Sequence, residues 1–290
     1  MLHPGATGGV DDEYFHTTEA TCRWLVPSNA ERHIQKCDGP DVLARARRSR
    51  IMLALWSRRE KAVMTASKLA VQVLLWTMAQ VVILAALIFV PAWMIHYWRA
   101  WVFLIVWAVG VYAMGIYVGV KDPALMERRR KAGPTRERRP AQRVIVSLEI
   151  LSFNALLVVS AVDHRFGWSC VPPFVSVIGD LLVAFGLFVV LLVFHANTYG
   201  GSSVEVVEGQ TVISTGPYAI VRHPMYAAFV IMSVGVPIAL GSWWGLLAVV
   251  GLIATLLWRI FDEEKLLRSD LPRYTEYTHR VPHRLVPFVW

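Results

Sequence analysis

Four apolar runs, each close to the length a bilayer requires, followed by a fifth that is longer still, leave this chain few ways to fold. The runs are Leu69–Val90, Trp98–Val120, Val144–Val162 and Phe174–Phe194, then Tyr226–Trp258. A helix needs about 20 apolar residues to cross a hydrocarbon core. In that core each backbone N–H and C=O must find its partner inside the segment or in a closed barrel. The expectation is an all-α, polytopic membrane protein. Tyr226–Trp258 is too long for one ordinary span, and Gly241-Ser242-Trp243-Trp244-Gly245 near its middle joins turn residues to interfacial tryptophans. It reads as a tight helical hairpin, which brings the total to about six transmembrane helices.

Composition agrees with that reading. Of 290 residues, 56% are hydrophobic and 17% charged, against roughly 45–50% and about 25% in soluble domains. The net charge is +8, but the basic residues gather beside apolar runs. That distribution speaks of topology and headgroup attraction, and no nucleic-acid partner is expected. The three cysteines, Cys22, Cys37 and Cys170, form no CxxC pair, so neither a disulfide framework nor a metal site is expected.

Three regions follow along the chain. Residues 1–63 are a polar, then basic, N-terminal extension, disordered or lying on the membrane surface. Its first 41 residues lack both an apolar period and a signal-peptide core. Residues 42–68 set Arg45, Arg47, Arg48, Arg50, Arg58, Arg59, Lys61 and Lys68 around the patch Ile51–Trp56, which suits an amphipathic helix on the inner leaflet. Residues 64–195 hold transmembrane helices 1–4, and residues 196–290 form a C-terminal region with the hairpin. The connection Lys121–Arg143 carries nine basic residues and is expected to be cytoplasmic. Pro91–Tyr97, Asp163–Pro173 and Gly241–Gly245 would face outward and together hold only Arg165. Both termini and both ends of the hairpin then fall on the cytoplasmic side of an inner membrane of bacterial type.

Polar residues mark those hairpin ends. At the first, Gly216-Pro217-Tyr218-Ala219-Ile220-Val221-Arg222-His223-Pro224-Met225-Tyr226 runs directly into the apolar stretch. Proline suits the first turn of a helix, and the unpaired amides there make an anion site. Arg222 and His223 read either as further donors to that anion or as a snorkelling arginine and a capping histidine. Upstream, Glu205–Thr215 alternates apolar and polar residues, as an extended segment lining a groove would. At the second end, Arg259 and Glu263 stand four residues apart on one helix face, with Asp262 adjoining and Glu264 pointing elsewhere. A plain helical ion pair is one reading; a site that faces His223 and Tyr226 is the other. Gln72, Gln80, Glu149, Asn154 and Asp180 read as structural, with Asp180 a hydrogen-bonding residue between helices.

At these residues the sequence resembles the isoprenylcysteine carboxyl methyltransferase family and its relatives, among them phospholipid N-methyltransferases. The resemblance rests on Thr215-Gly216-Pro217-Tyr218, Arg222-His223-Pro224-Met225-Tyr226, Arg259 and Glu263-Glu264. It continues through Tyr274, Tyr277 and Val281–Pro287, and is closest over residues 197–290. It implies S-adenosylmethionine as methyl donor, with cofactor contacts on Gln210, Thr211, Val212, Ile213, Tyr218, His223, Pro224, Met225, Tyr226 and Glu263. Arg259 matches the family's catalytic arginine beside the acceptor. The implied acceptor is a lipophilic small molecule or prenylated group arriving from the bilayer, with a carboxylate of isoprenylcysteine type in first place.

Such a carboxylate is ionised at neutral pH and needs no base. A phospholipid amine, the alternative, would need deprotonation by Glu263 or Glu264. Two readings from other classes stand beside these. One is an NADPH-dependent sterol-type reductase, against which the acidic Asp262-Glu263-Glu264 group argues. The other is a non-enzymatic lipid-binding membrane protein.

Overall fold

A computed structural model describes residues 67–123, 125–126, 137, 139–197, 199 and 210–290. The N-terminal extension, most of Lys121–Arg143 and the Glu205–Gly209 stretch lie outside the described residues. Within them the chain is helical, without strands. The elements are α1 (Ser67–Ala92), α2 (Trp98–Lys121), α3 (Pro140–Phe166), α4 (Pro173–Ala196), a 3-10 turn (Gly216–Ala219), α5 (Pro224–Ala239), α6 (Gly245–Asp270) and α7 (Tyr274–Arg280). Proline opens α3, α4 and α5, where its fixed φ fits and its missing N–H costs nothing. Helix α3 stops at Gly167, which takes the left-handed conformation at φ 66°.

Five of these helices, α1 to α4 and α6, are long and apolar enough to cross a membrane. Val82, Ile105, Leu151, Leu181 and Val250 are exposed, one on each of them, as a hydrocarbon solvent permits. The expected sixth span differs. Helix α5 has 16 residues, so at 1.5 Å per residue it is about 24 Å long, against a hydrocarbon core of about 30 Å. Its start is fixed by the polar turn before Pro224, and Pro237 and the Gly241 turn (φ 75°) end it.

Helices α5 and α6 touch, but each packs mainly on another partner: α5 on α4, and α6 on α3. Glycines allow the closest of these crossings. A Cβ on Gly179 would stand 2.2 Å from the Ala239 nitrogen, and one on Gly235 would stand 2.8 Å from the Gly179 oxygen. The α5–α6 turn is held at one end of the molecule by buried Asp163. Its carboxylate accepts from Ser242 Oγ, from Ser169 Oγ at 2.6 Å and from the Ser169 N–H at 2.8 Å. Tyr97 donates to the Leu240 carbonyl beside it. Asp180 departs from expectation: it is buried, yet neither carboxylate oxygen meets a hydrogen-bond partner among the described residues.

Candidate active site

At the other end of α5 the 3-10 turn leads into a short extended stretch that pairs with the chain's last segment. The Arg222 and His223 N–H groups donate to the His283 and Arg284 carbonyls, both at 2.9 Å. Pro224 then begins α5, and the first intrahelical bond runs from the Ala227 N–H to the His223 carbonyl. The Met225 and Tyr226 amides precede that bond, at the positive end of the helix dipole.

Beside this turn lies a cavity of about 140 Å³. Its walls come from the end of α4 (Asn197, Tyr199), the stretch Gln210–Ile213, Tyr218, the start of α5 (Arg222 to Tyr226), α6 (Glu263, Leu266, Leu267), and Leu271, Tyr274 and Tyr277. Gln210, Thr211, Val212, Ile213, Tyr218, His223, Pro224, Met225, Tyr226 and Glu263 all line it, so one space gathers all ten residues that the resemblance assigns to a cofactor.

The two polar clusters meet through Tyr226. Its hydroxyl donates to Glu263 Oε2 at 2.6 Å and accepts from Arg259 Nε at 3.0 Å, while its ring stacks on His223 at 5.5 Å. Arg259 is not among the residues lining the cavity. It lies behind Tyr226, with its guanidinium carbon 5.7 Å from that ring. Its ion pairs reach across to Glu149 on α3 at 2.7 Å and to Glu137 at 3.9 Å, rather than to Glu263 one turn away. The second oxygen of Glu149 is buried and meets no hydrogen-bond partner among the described residues.

Glu264 points away from the cavity, as helical phase indicated, and Arg222 is among its partners. Glu264 is buried and collects the C-terminal region around itself: Arg222 Nε at 2.8 Å, His223 Nε2 at 3.3 Å, Arg284 Nε at 3.2 Å and Arg268 at 3.6 Å. Arg222 Nη1 also donates to the Val281 and Pro282 carbonyls, at 2.9 and 2.8 Å. These bonds brace the turn, and Arg222 also lines the cavity. Asp262 accepts from Arg139 at 2.8 Å and from Gln142. Of the acidic trio only Glu263 faces the cavity.

Several lining residues carried no assignment in the sequence. Leu266 and Leu267 stand one turn beyond Glu263, so helical phase from that residue would have found them. Tyr274 and Tyr277 belonged to the resemblance without a role. Burial pushes both phenols well above the usual tyrosine range, so they are neutral; Tyr277 donates to the Tyr218 carbonyl at 2.7 Å. Glu149 had no local signal, since its partner lies 110 residues away.

Most of the cavity wall falls within a segment with known relatives. Residues 174–271, from α4 through α6, match the sequence model of the phospholipid methyltransferase family. The resemblance to membrane methyltransferases is thus borne out over that part of the chain. The protein-S-isoprenylcysteine O-methyltransferase B of Arabidopsis thaliana is 38% identical over 88 residues, which are 28% of this chain and 42% of that protein. The matched stretch therefore spans less than half the length of that curated relative.

Proposed function

We propose that the chain is an integral-membrane methyltransferase that moves a methyl group from S-adenosylmethionine to a lipophilic acceptor. The observation that carries this reading is the single cavity shared by Gln210–Ile213, the His223-Pro224 turn, Tyr226 and Glu263. Its chemistry suits such a cofactor. Glu263 offers a carboxylate to ammonium or hydroxyl groups, and the first amides of α5 suit an anionic end. Leu266, Leu267, Leu271 and the tyrosines offer an apolar and aromatic wall to a flat ring.

When bound, S-adenosylmethionine supplies an electrophilic methyl group on a sulfonium. The chain's own task is then alignment. Holding two reactants in line could account for roughly 7–11 kcal/mol of the barrier. Tyr226 fixes Glu263 on the cavity side and Arg259 on the other through one hydroxyl. For a carboxylate acceptor of isoprenylcysteine type, Arg259 would orient the nucleophile by a paired contact, exchanging Glu149 for it. One observation favours the second reading, a phospholipid amine: Arg259 is already neutralised by Glu149, and the unpaired Glu149 oxygen suits an N–H donor.

Calorimetry on the full chain in nanodiscs tests the donor. Saturable binding of S-adenosylmethionine that disappears in Glu263→Ala is expected. Binding of NADPH alone would overturn the methyltransferase reading in favour of a reductase. Methyl transfer to N-acetyl-S-farnesylcysteine or to phosphatidylethanolamine vesicles then separates the two acceptors.

A further inference from the structure

The exposed face of α6 is a stripe. Leu247, Val250, Ala254, Trp258 and Phe261 recur every three or four residues and are all exposed, on the side of the helix opposite to buried Val249, Leu252, Leu256 and Ile260. In a spanning helix such a stripe meets lipid. At its cavity-side end the stripe does not stop. The Trp290 ring sits edge-on to Phe261 at 5.8 Å, and the Arg284 guanidinium lies over both rings, at 5.5 and 4.9 Å. The N–H groups of Arg284, Leu285 and Val286 all donate to the Trp290 carbonyl, at 2.9, 3.0 and 3.2 Å. This closes a tight loop against the stripe.

The tip of that loop is apolar and turned away from the protein. Phe288 is 91% exposed and Val289 78%. Phe288 also holds a left-handed backbone, φ 64°, which is unfavourable for a bulky L-residue. This strained aromatic residue is almost bare, its ring meeting only that of His283 among the described residues. The basic residues in contact with the loop are Arg284, over the Trp290 ring, and His283, whose ring stands 5.5 Å from that of Phe288; Lys265 and Arg268 are exposed on the last turns of α6 and Arg280 at the end of α7. An apolar tip flanked by Arg284 matches the boundary between acyl chains and phosphate headgroups.

We infer that Val286–Trp290 is a membrane-inserted wedge whose partner is the lipid surface on the cavity side of the bilayer. Its continuity with the lipid-facing stripe of α6, through Phe261 and the Arg284 guanidinium, selects lipid over a second copy of the chain. The wedge also bears on the site. Arg284 bonds Glu264, which holds Arg222 and His223, and the His283 and Arg284 carbonyls pair with the backbone of that same turn. Lipid contact at Phe288 thus steadies the segment that backs the His223 turn, whatever the chemistry of the cavity.

The test needs no substitution. The full chain in nanodiscs is irradiated with a phospholipid bearing a diazirine at the top of its acyl chain, and separately with a water-soluble diazirine. Adducts are then mapped by mass spectrometry. Lipid adducts on residues 286–289 should exceed those on exposed Thr275 and Glu276 of α7 several-fold, with the aqueous reagent showing the reverse order. Aqueous labelling of Phe288 equal to that of Glu276 would overturn the wedge. Protection from both reagents would overturn it too, and crosslinks between chains would then assign the tip to a second copy.

Discussion

Tyr226 carries two opposite charges on one hydroxyl, donating to Glu263 and accepting from Arg259. In Tyr226→Phe each charged group loses a bond worth roughly 1.5–3 kcal/mol. Thermal melting should show destabilisation, and S-adenosylmethionine affinity should fall about tenfold, or about 1.4 kcal/mol; unchanged affinity would remove Tyr226 from the cofactor site. Arg259→Ala should cost more, about 3–5 kcal/mol, because it strands Glu149 as a buried unpaired charge. Adding Glu149→Ala should restore most of the melting temperature while methyl transfer stays lost. Recovery of activity in the double variant would mean that Arg259 only neutralises Glu149. The turn residues of this site were legible in the sequence because Arg222-His223-Pro224 is local. Glu149 was not, since no spacing links α3 to α6. Helical phase set Glu264 apart from Glu263 but could not show that Arg222, His223 and Arg284 converge on it.

At the scale of the element, α5 shows what hydropathy can and cannot tell. Its two ends were readable from Pro224 and the Gly241 turn. Its partner was not, because Met225–Ala239 and Leu246–Leu257 are similarly apolar and a hydropathy profile does not separate a lipid-facing side from a protein-facing one. The α4–α5 contact is set by missing side chains. Gly235→Val would drive a Cβ toward the Gly179 oxygen and the Leu182 Cβ, 2.8 and 2.9 Å away, where neither backbone can yield easily. Overpacking of this kind costs about 1–3 kcal/mol, and because α5 carries the His223 turn at its start, cofactor affinity should fall with the melting temperature. Gly251→Ala is the contrast. Its Cβ would meet only Ser152 Oγ at 3.9 Å, so the variant should gain about 0.5–1 kcal/mol from helix propensity with binding unchanged. Equal losses from both changes would show that the α4–α5 spacing is not what holds the turn.

For the whole molecule, the open question of charge and topology comes down to α5. Between Cys170, exposed in the α3–α4 connection, and exposed Glu276 on α7 lie α4, α5 and α6. If all three cross the bilayer, the two positions stand on opposite sides. The α5–α6 turn bonds Asp163 and Ser169 beside Cys170, so α5, about 24 Å long at 1.5 Å per residue, runs as a third crossing would; without that crossing the two positions would stand on the same side. The basic excess of Lys121–Arg143 further predicts which side is which, since such connections stay in the cytoplasm. With Cys22 and Cys37 replaced by serine, a membrane-impermeant maleimide should label Cys170 in intact cells. With Cys170 replaced as well, a Glu276→Cys variant should react only after permeabilisation. Labelling of both in intact cells, or of neither, would overturn the third crossing. Exchange of the two results would keep six crossings but turn the cavity outward, leaving the S-adenosylmethionine made inside the cell on the wrong side of the bilayer.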